Sequence, residues 1–223
     1  MYNITVEEVY NKLISQKEIL DIYNQIEQKE NSTDQWAFHN YEHIKNVSNI
    51  AEKILVDLNF DKNIIYKVRI ACLLHDVGVL EGKEGHAERS YNFAKEYFQK
   101  KNWIFDNKEE ILDAIKNHSA GFETNNILTL VLILADKLDI KKTRISEVGK
   151  RIIGNRQYQH INDIRINITN NLLTINFITD GNMDTEEANN YYFTIKLFKA
   201  IEAFSSKLNL NYKIMLDNKI WAI

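Results

Sequence analysis

Residues 62–76, KNIIYKVRIACLLHD, constrain the fold of this chain more than any other stretch. Apolar residues fall on nearly every side of a helix drawn through them, which predicts a helix buried on most of its surface. The run then ends on adjacent polar residues, His75 and Asp76, followed by Val77 and Gly78. A carboxylate taken out of water without a partner costs several kcal/mol. The rest of the chain must therefore bring a compensating group to the end of this helix.

The first two thirds read as helices. The chain contains no proline, so boundaries are read from caps and glycines. Thr5 with Glu8 three residues on forms a capping-box pattern and predicts a helix through about residue 28. In EHIKNVSNIAEKILVDL, residues Ile44, Val47, Ile50, Ala51, Ile54 and Leu58 recur at helical spacing and define a stripe facing a core. GHAERSYNFAKEYFQKK, NKEEILDAIKNH and TLVLILADKLDIKKTRI predict three further helices, with His86 opening the first and His118 closing the second. After about residue 158 the pattern changes. DIRINITNNLLTINFITD alternates apolar and polar residues on both sides of Asn170-Asn171, a hairpin signal because asparagine tolerates positive φ. Asp184 and Glu187 predict the start of a long amphipathic helix over 185–208, and YKIMLDNKIWAI ends the sequence with one or two short strands. The fold expected is mainly α: a helical domain over residues 1–158 and a small C-terminal α+β unit of β-β-α-β order over 159–223.

Composition narrows the function classes. Of 223 residues, 44% are hydrophobic and 26% charged, with a net charge of −3. No global basic field argues for nucleic-acid binding. The single cysteine, Cys72, allows no internal disulfide and suits a reducing compartment. No signal peptide is evident, and no run reaches the roughly 18 apolar residues that a membrane helix needs. The expectation is a soluble cytoplasmic protein.

Chemistry concentrates in histidines and carboxylates. Four of the six histidines stand at the borders of the helical segments. With the neighbouring carboxylates they give His43, His75 with Asp76, His86, His118 and Asp136. Imidazole nitrogens and carboxylate oxygens suit zinc, iron, manganese, nickel or cobalt. Six such ligands can hold two divalent ions that share a bridging carboxylate or hydroxide. Each residue alone has a plainer reading: His118 could complement a helix dipole, and Asp136 could pair with Lys137 or Arg144. Taken together they answer the charge problem twice, because Asp76 and Asp136 both close apolar runs.

In that order these residues resemble the HD-domain superfamily of metal-dependent phosphohydrolases, in which a histidine, an adjacent His-Asp pair and a distant aspartate recur. Here they are His43, His75-Asp76 and Asp136, with His86 and His118 at the places of the extra histidines of two-metal members. FHNYEHIKNV and ILADKLD are similar to the opening and closing segments of the same proteins, and the likeness spans about residues 36–145. It implies a helical HD-type bundle holding one or two divalent ions (Fe, Mn, Ni, Co, Zn or Mg). Many relatives follow the pair with Ile-Gly-Lys. This chain has Val77-Gly78-Val79, which leaves Lys83 as a substitute for the phosphate-facing lysine.

The activity implied is hydrolysis of a phosphate ester of a nucleotide or another small phosphorylated molecule. Asp76 would bridge the ions, and His39, four residues before His43, would serve as general acid at the same site. Lys83, Lys137 and Arg144 are candidate substrate contacts. Two other classes compete: a di-iron oxygenase built on the same ligands, and a non-catalytic metal-binding or assembly protein. In the last, the open hairpin edge could pair two copies into a homodimer.

Overall fold

The computed structural model describes residues 2–119 and 121–221. Helices α1 (Val6–Leu13), α2 (Lys17–Asn31), α3 (Tyr41–Asp57) and α4 (Lys62–Leu74) open the chain. They are followed by α5 (His86–Lys100), α6 (Lys108–Asn117) and α7 (Ile127–Leu138). The fold is mainly helical with a small sheet, as the patterning predicts. A two-residue strand β1 (Tyr2–Asn3) pairs in parallel with β2 (Trp103–Ile104) and ties the start of the chain to the end of α5.

The capping box at Thr5 forms: the backbone N–H of Thr5 donates to Glu8 Oε2 at 2.8 Å and that of Glu8 donates to Thr5 Oγ1 at 3.2 Å. The helix it starts does not run to residue 28, however. It stops after Leu13 and resumes at Lys17, because the Ser15 hydroxyl donates back to the Lys12 carbonyl at 3.1 Å and Gln16 is extended. Such back-bonding offers the chain an alternative to the helical ladder. The helix predicted from TLVLILADKLDIKKTRI also ends early, at Leu138, and gives way to a short 3-10 turn over Lys142–Arg144.

Helix α4 lies at the centre of the bundle, with α3, α6 and α7 packed around it. Val68, Ile70, Ala71, Cys72 and Leu74 on it are fully buried, which matches the absence of a polar face in its sequence. Tyr23 from α2, also fully buried, donates its hydroxyl to the Leu73 carbonyl at 2.8 Å, satisfying one of the acceptors left open at the end of α4.

The C-terminal unit contains β3 (Ile161–Thr169), β4 (Leu172–Thr179), α8 (Thr185–Asn189), α9 (Tyr192–Lys207), β5 (Asn211–Leu216) and β6 (Lys219–Ile220). Asn170 and Asn171, at φ of 51° and 58°, make the tight turn between β3 and β4. The sheet order is β3-β4-β5-β6, with β4 and β5 parallel and joined by a helical crossover. That crossover is two helices where one was expected. Asp184 caps α8 through the Glu187 backbone N–H at 3.0 Å, and Tyr191 then leaves helical geometry at φ −81°, ψ 131°. The sheet rests on α3 and α9 rests on α7, with Phe177, Phe198 and Trp221 packed edge to face between sheet and helix. Among the described residues no helix is long and apolar enough to cross a membrane.

Candidate metal centre

The polar end of α4 is where the structure gathers the histidines. His75 is the C-cap of α4 and Asp76 starts a 3-10 turn over Val77–Glu81, so the pair lies just past the helix rather than on it. His43 comes from the first turn of α3, which Asn40 caps through the His43 backbone N–H at 3.0 Å. His86 is the first residue of α5, His118 the C-cap of α6, and Asp136 stands in the last turn of α7. Five elements thus deliver one or two of these side chains each. Gly78 makes this possible across a gap of only ten residues: a Cβ there would lie 2.4 Å from the His86 carbonyl oxygen. Its absence lets the start of α5 come down onto the 3-10 turn, within reach of Asp76.

The two oxygens of Asp76 face different partners. Its Oδ2 lies 3.2 Å from His75 Nε2 and 3.5 Å from His43 Nε2, while its Oδ1 lies 3.4 Å from His86 Nε2 and 3.6 Å from His118 Nε2. Asp136 Oδ1 lies 3.2 Å from His43 Nε2 and 3.9 Å from His75 Nε2. Two sets of groups able to hold an ion result, His43–His75–Asp76–Asp136 and Asp76–His86–His118, and they share Asp76.

The tautomers carry the strongest evidence that the sets fit metal ions. Nδ1 of His75 meets the Cys72 carbonyl at 2.8 Å, and those of His86 and His118 meet the Lys83 and Ile115 carbonyls at 2.7 Å each. A carbonyl can only accept, so Nδ1 carries the proton and each Nε2 is left with a lone pair. His43 is fixed in the same way by Asp139 Oδ2, 2.8 Å from its Nδ1. All four Nε2 atoms lie within 3.6 Å of an Asp76 oxygen. Among the described residues His75 Nε2 is buried without a hydrogen-bond partner, and His86 and His118 hold Nε2 atoms 2.9 Å apart. Lone pairs brought together in this way need a proton or a metal ion between them.

Charge state follows from the same crowding. Burial opposes ionisation of Asp76, yet His75, His118 and His43 around it hold its carboxyl well below the usual carboxylate range. Burial works against protonation of His75, but Asp76 and Asp136 outweigh it and push the imidazole up to about 10. Without metal, the cluster thus keeps protons where an ion would sit, so metal uptake must release them.

Residues 40–141 match the HD domain family. A predicted HD superfamily hydrolase from an uncultured Thermotogales bacterium, known from its crystal structure, is similar at 22% identity over 60% of this chain and 80% of that one, with a TM-score of 0.43. No curated protein matches the chain.

The other sequence-predicted residues also reach the site. His39 is not a helical turn before His43, since α3 begins only at Tyr41. It lies in the preceding loop, its ring 6.0 Å from that of His43. Glu30 holds it there, with Oε1 2.6 Å from His39 Nδ1 and Oε2 accepting the His39 backbone N–H at 2.7 Å. Burial pulls the His39 imidazole down to about 4, against the pull of Glu30. The Arg144 guanidinium lies against the His43 ring, 2.7 Å from Nε2 and 3.5 Å from Asp136 Oδ1. Lys83 and Lys137 line the same cavity of about 600 Å³ as Asp76, His86, His118 and Asp136.

Sequence reasoning missed Asp139 and Glu30. Asp139 had a signal, since it follows Asp136 by three residues and so falls on the same side of the α7 terminus. Glu30 had none, because only the tertiary fold brings the end of α2 to the loop before α3.

Proposed function

We propose that the chain is a metal-dependent phosphohydrolase acting on the phosphate ester of a small molecule. The observation that carries this reading is the division of Asp76, one oxygen toward each ligand set, at one end of a cavity lined with cations. Divalent ions bound there would acidify a water and stabilise the charge that develops on the phosphoryl oxygens. His43, His75, Asp76 and Asp136 would hold one ion and Asp76, His86 and His118 the other.

The chain's own groups do the remaining work. Arg144 and Lys83 bind and orient the phosphoryl oxygens, as cations do where negative charge grows. His39, uncharged at neutral pH and with Nδ1–H given to Glu30, has Nε2 free as a lone pair. It takes the proton of the attacking water and returns it to the leaving oxygen. Relative to the sequence-based expectation, His39 is thus a base first and an acid second, for the physical reason that burial keeps it neutral.

The test is a panel of nucleotides, cyclic nucleotides and simple phosphomonoesters with Mn, Co, Ni and Mg. Metal-dependent phosphate release is the expected result. Bound iron with oxygen consumption and no phosphate release would replace this reading with the oxygenase one.

A further inference from the structure

Much of the cavity wall comes from outside the residues that match the HD domain family. Tyr158, Tyr191, Tyr192, Phe193 and Lys196 line it, all beyond residue 141. Tyr191 is built in: its ring packs on Gly154, where a Cβ would lie 2.5 Å from the Tyr191 Cβ, and its hydroxyl donates to Asn155 Oδ1 at 3.3 Å. Tyr192 stands on it with ring centres 4.7 Å apart and is nevertheless 59% exposed. Trp36, from the loop before α3, lines the same cavity and is 39% exposed. Two large aromatic faces left open inside a concave site are faces for a flat ring to stack on.

Cations lie beside these rings. Lys137 on α7 and Lys196 on α9 line the cavity from two helices that pack together. Arg144 and Lys141 are tied to Asp136 and Asn46. Lys137 and Lys196 make no ion pair or hydrogen bond among the described residues, which leaves both ammonium groups on the cavity wall open to an anion.

We propose that this half of the cavity is a leaving-group pocket for a planar ring bearing a second anionic group. Tyr192 and Trp36 stack the ring, Lys137 and Lys196 take the second anion, and the first phosphate lies at the ligand sets. The inference rests on the phosphohydrolase reading. In the reaction the water oxygen bonds to phosphorus and the ester P–O bond breaks with its electron pair on the leaving oxygen. The proton given up by the water ends on that oxygen, and ring and second anion leave together as an alcohol.

The experiment compares adenosine 3′,5′-bisphosphate, adenosine 5′-monophosphate and glycerol 3-phosphate as substrates of the full chain with manganese. A charge-assisted contact and a stacked ring each give about tenfold in kcat/KM, so the three should descend in that order. Lys196→Met should lower the ratio of bisphosphate to monophosphate kcat/KM about tenfold, and Tyr192→Ala the ratio of monophosphate to glycerol phosphate by a similar factor. Calorimetric binding of adenosine 3′,5′-bisphosphate to chelator-treated protein gives a second measure, in which each variant should weaken binding about tenfold. Equal kcat/KM for the three esters, or binding that neither variant weakens, overturns the pocket. No turnover of any ester together with binding that both variants weaken overturns the hydrolase reading and leaves the pocket standing.

Discussion

Asp139→Asn separates a residue that positions a ligand from one that binds the ion. Asp139 is buried, accepts from His43 Nδ1 at 2.8 Å, and leaves its Oδ1 without a hydrogen bond among the described residues. Asparagine has nearly the same shape but can turn an N–H toward the imidazole, so His43 loses the group that keeps its proton on Nδ1. Replacing such an outer partner costs about 10–100-fold in metal affinity. Suppose the wild type is measured at a metal concentration about 100 times its Kd, where binding adds about 2.7 kcal/mol to stability. A variant binding 100-fold more weakly gains only about 0.4 kcal/mol at that concentration. The lost 2.3 kcal/mol corresponds to about 5–9 °C less metal-induced rise in Tm for a chain of this size. Asparagine keeps the shape of Asp139, and Arg144, 3.9 Å from Asp139 Oδ2, keeps the nearer Asp136 as its carboxylate partner at 3.5 Å, so the chelated proteins should melt within a few degrees of each other. The assay is thermal melting with and without manganese, beside equilibrium dialysis. A metal-induced rise equal to the wild type's would refute the argument that Asp139 sets the His43 tautomer.

Three other outcomes follow from the same geometry. Asp76→Ala removes the ligand common to both sets, so elemental analysis should find metal lost from both and phosphate release abolished; retained turnover in a metal-free variant would contradict the assignment. Gly78→Ala places a methyl group against the His86 carbonyl and should cost about 1–3 kcal/mol, read by urea unfolding, together with the metal of the Asp76–His86–His118 set. In chelated protein, His75 is raised from about 6.5 unfolded to about 10 folded, so its protonation stabilises the fold fully below about pH 6.5 and is lost as pH rises to about 10. Tm of the chelated protein should fall across that window, and metal-saturated protein, whose His75 binds an ion instead of a proton, should not show this fall.

Local patterns announced most of the elements. The stripe on α3, the apolar girth of α4, the Thr5 capping box and the Asn170-Asn171 turn each act over a few residues, so they can be seen without a fold. The interruptions at Ser15 and Tyr191 were hidden because each is settled by competition. A side-chain hydrogen bond ends α1, and the seating of Tyr191 on Gly154 divides α8 from α9. The candidate ligands were legible for a different reason: a histidine or carboxylate at the end of an apolar run is costly unless something binds it.

The sequence by itself determined the helical character of the domain, the hairpin that follows it, and which histidines and aspartates had to meet. The tertiary structure alone decided how they meet: which Asp76 oxygen faces which ligand set, that carbonyls and Asp139 hold the four Nδ1 protons, that Glu30 supports His39, and that the C-terminal unit supplies aromatic rings to the cavity. The physical reason is range. Caps and periodicity depend on neighbours a turn away, whereas Asp139 reaches His43 across 96 residues and Tyr191 reaches Asn155 across 36, and only packing can set such contacts.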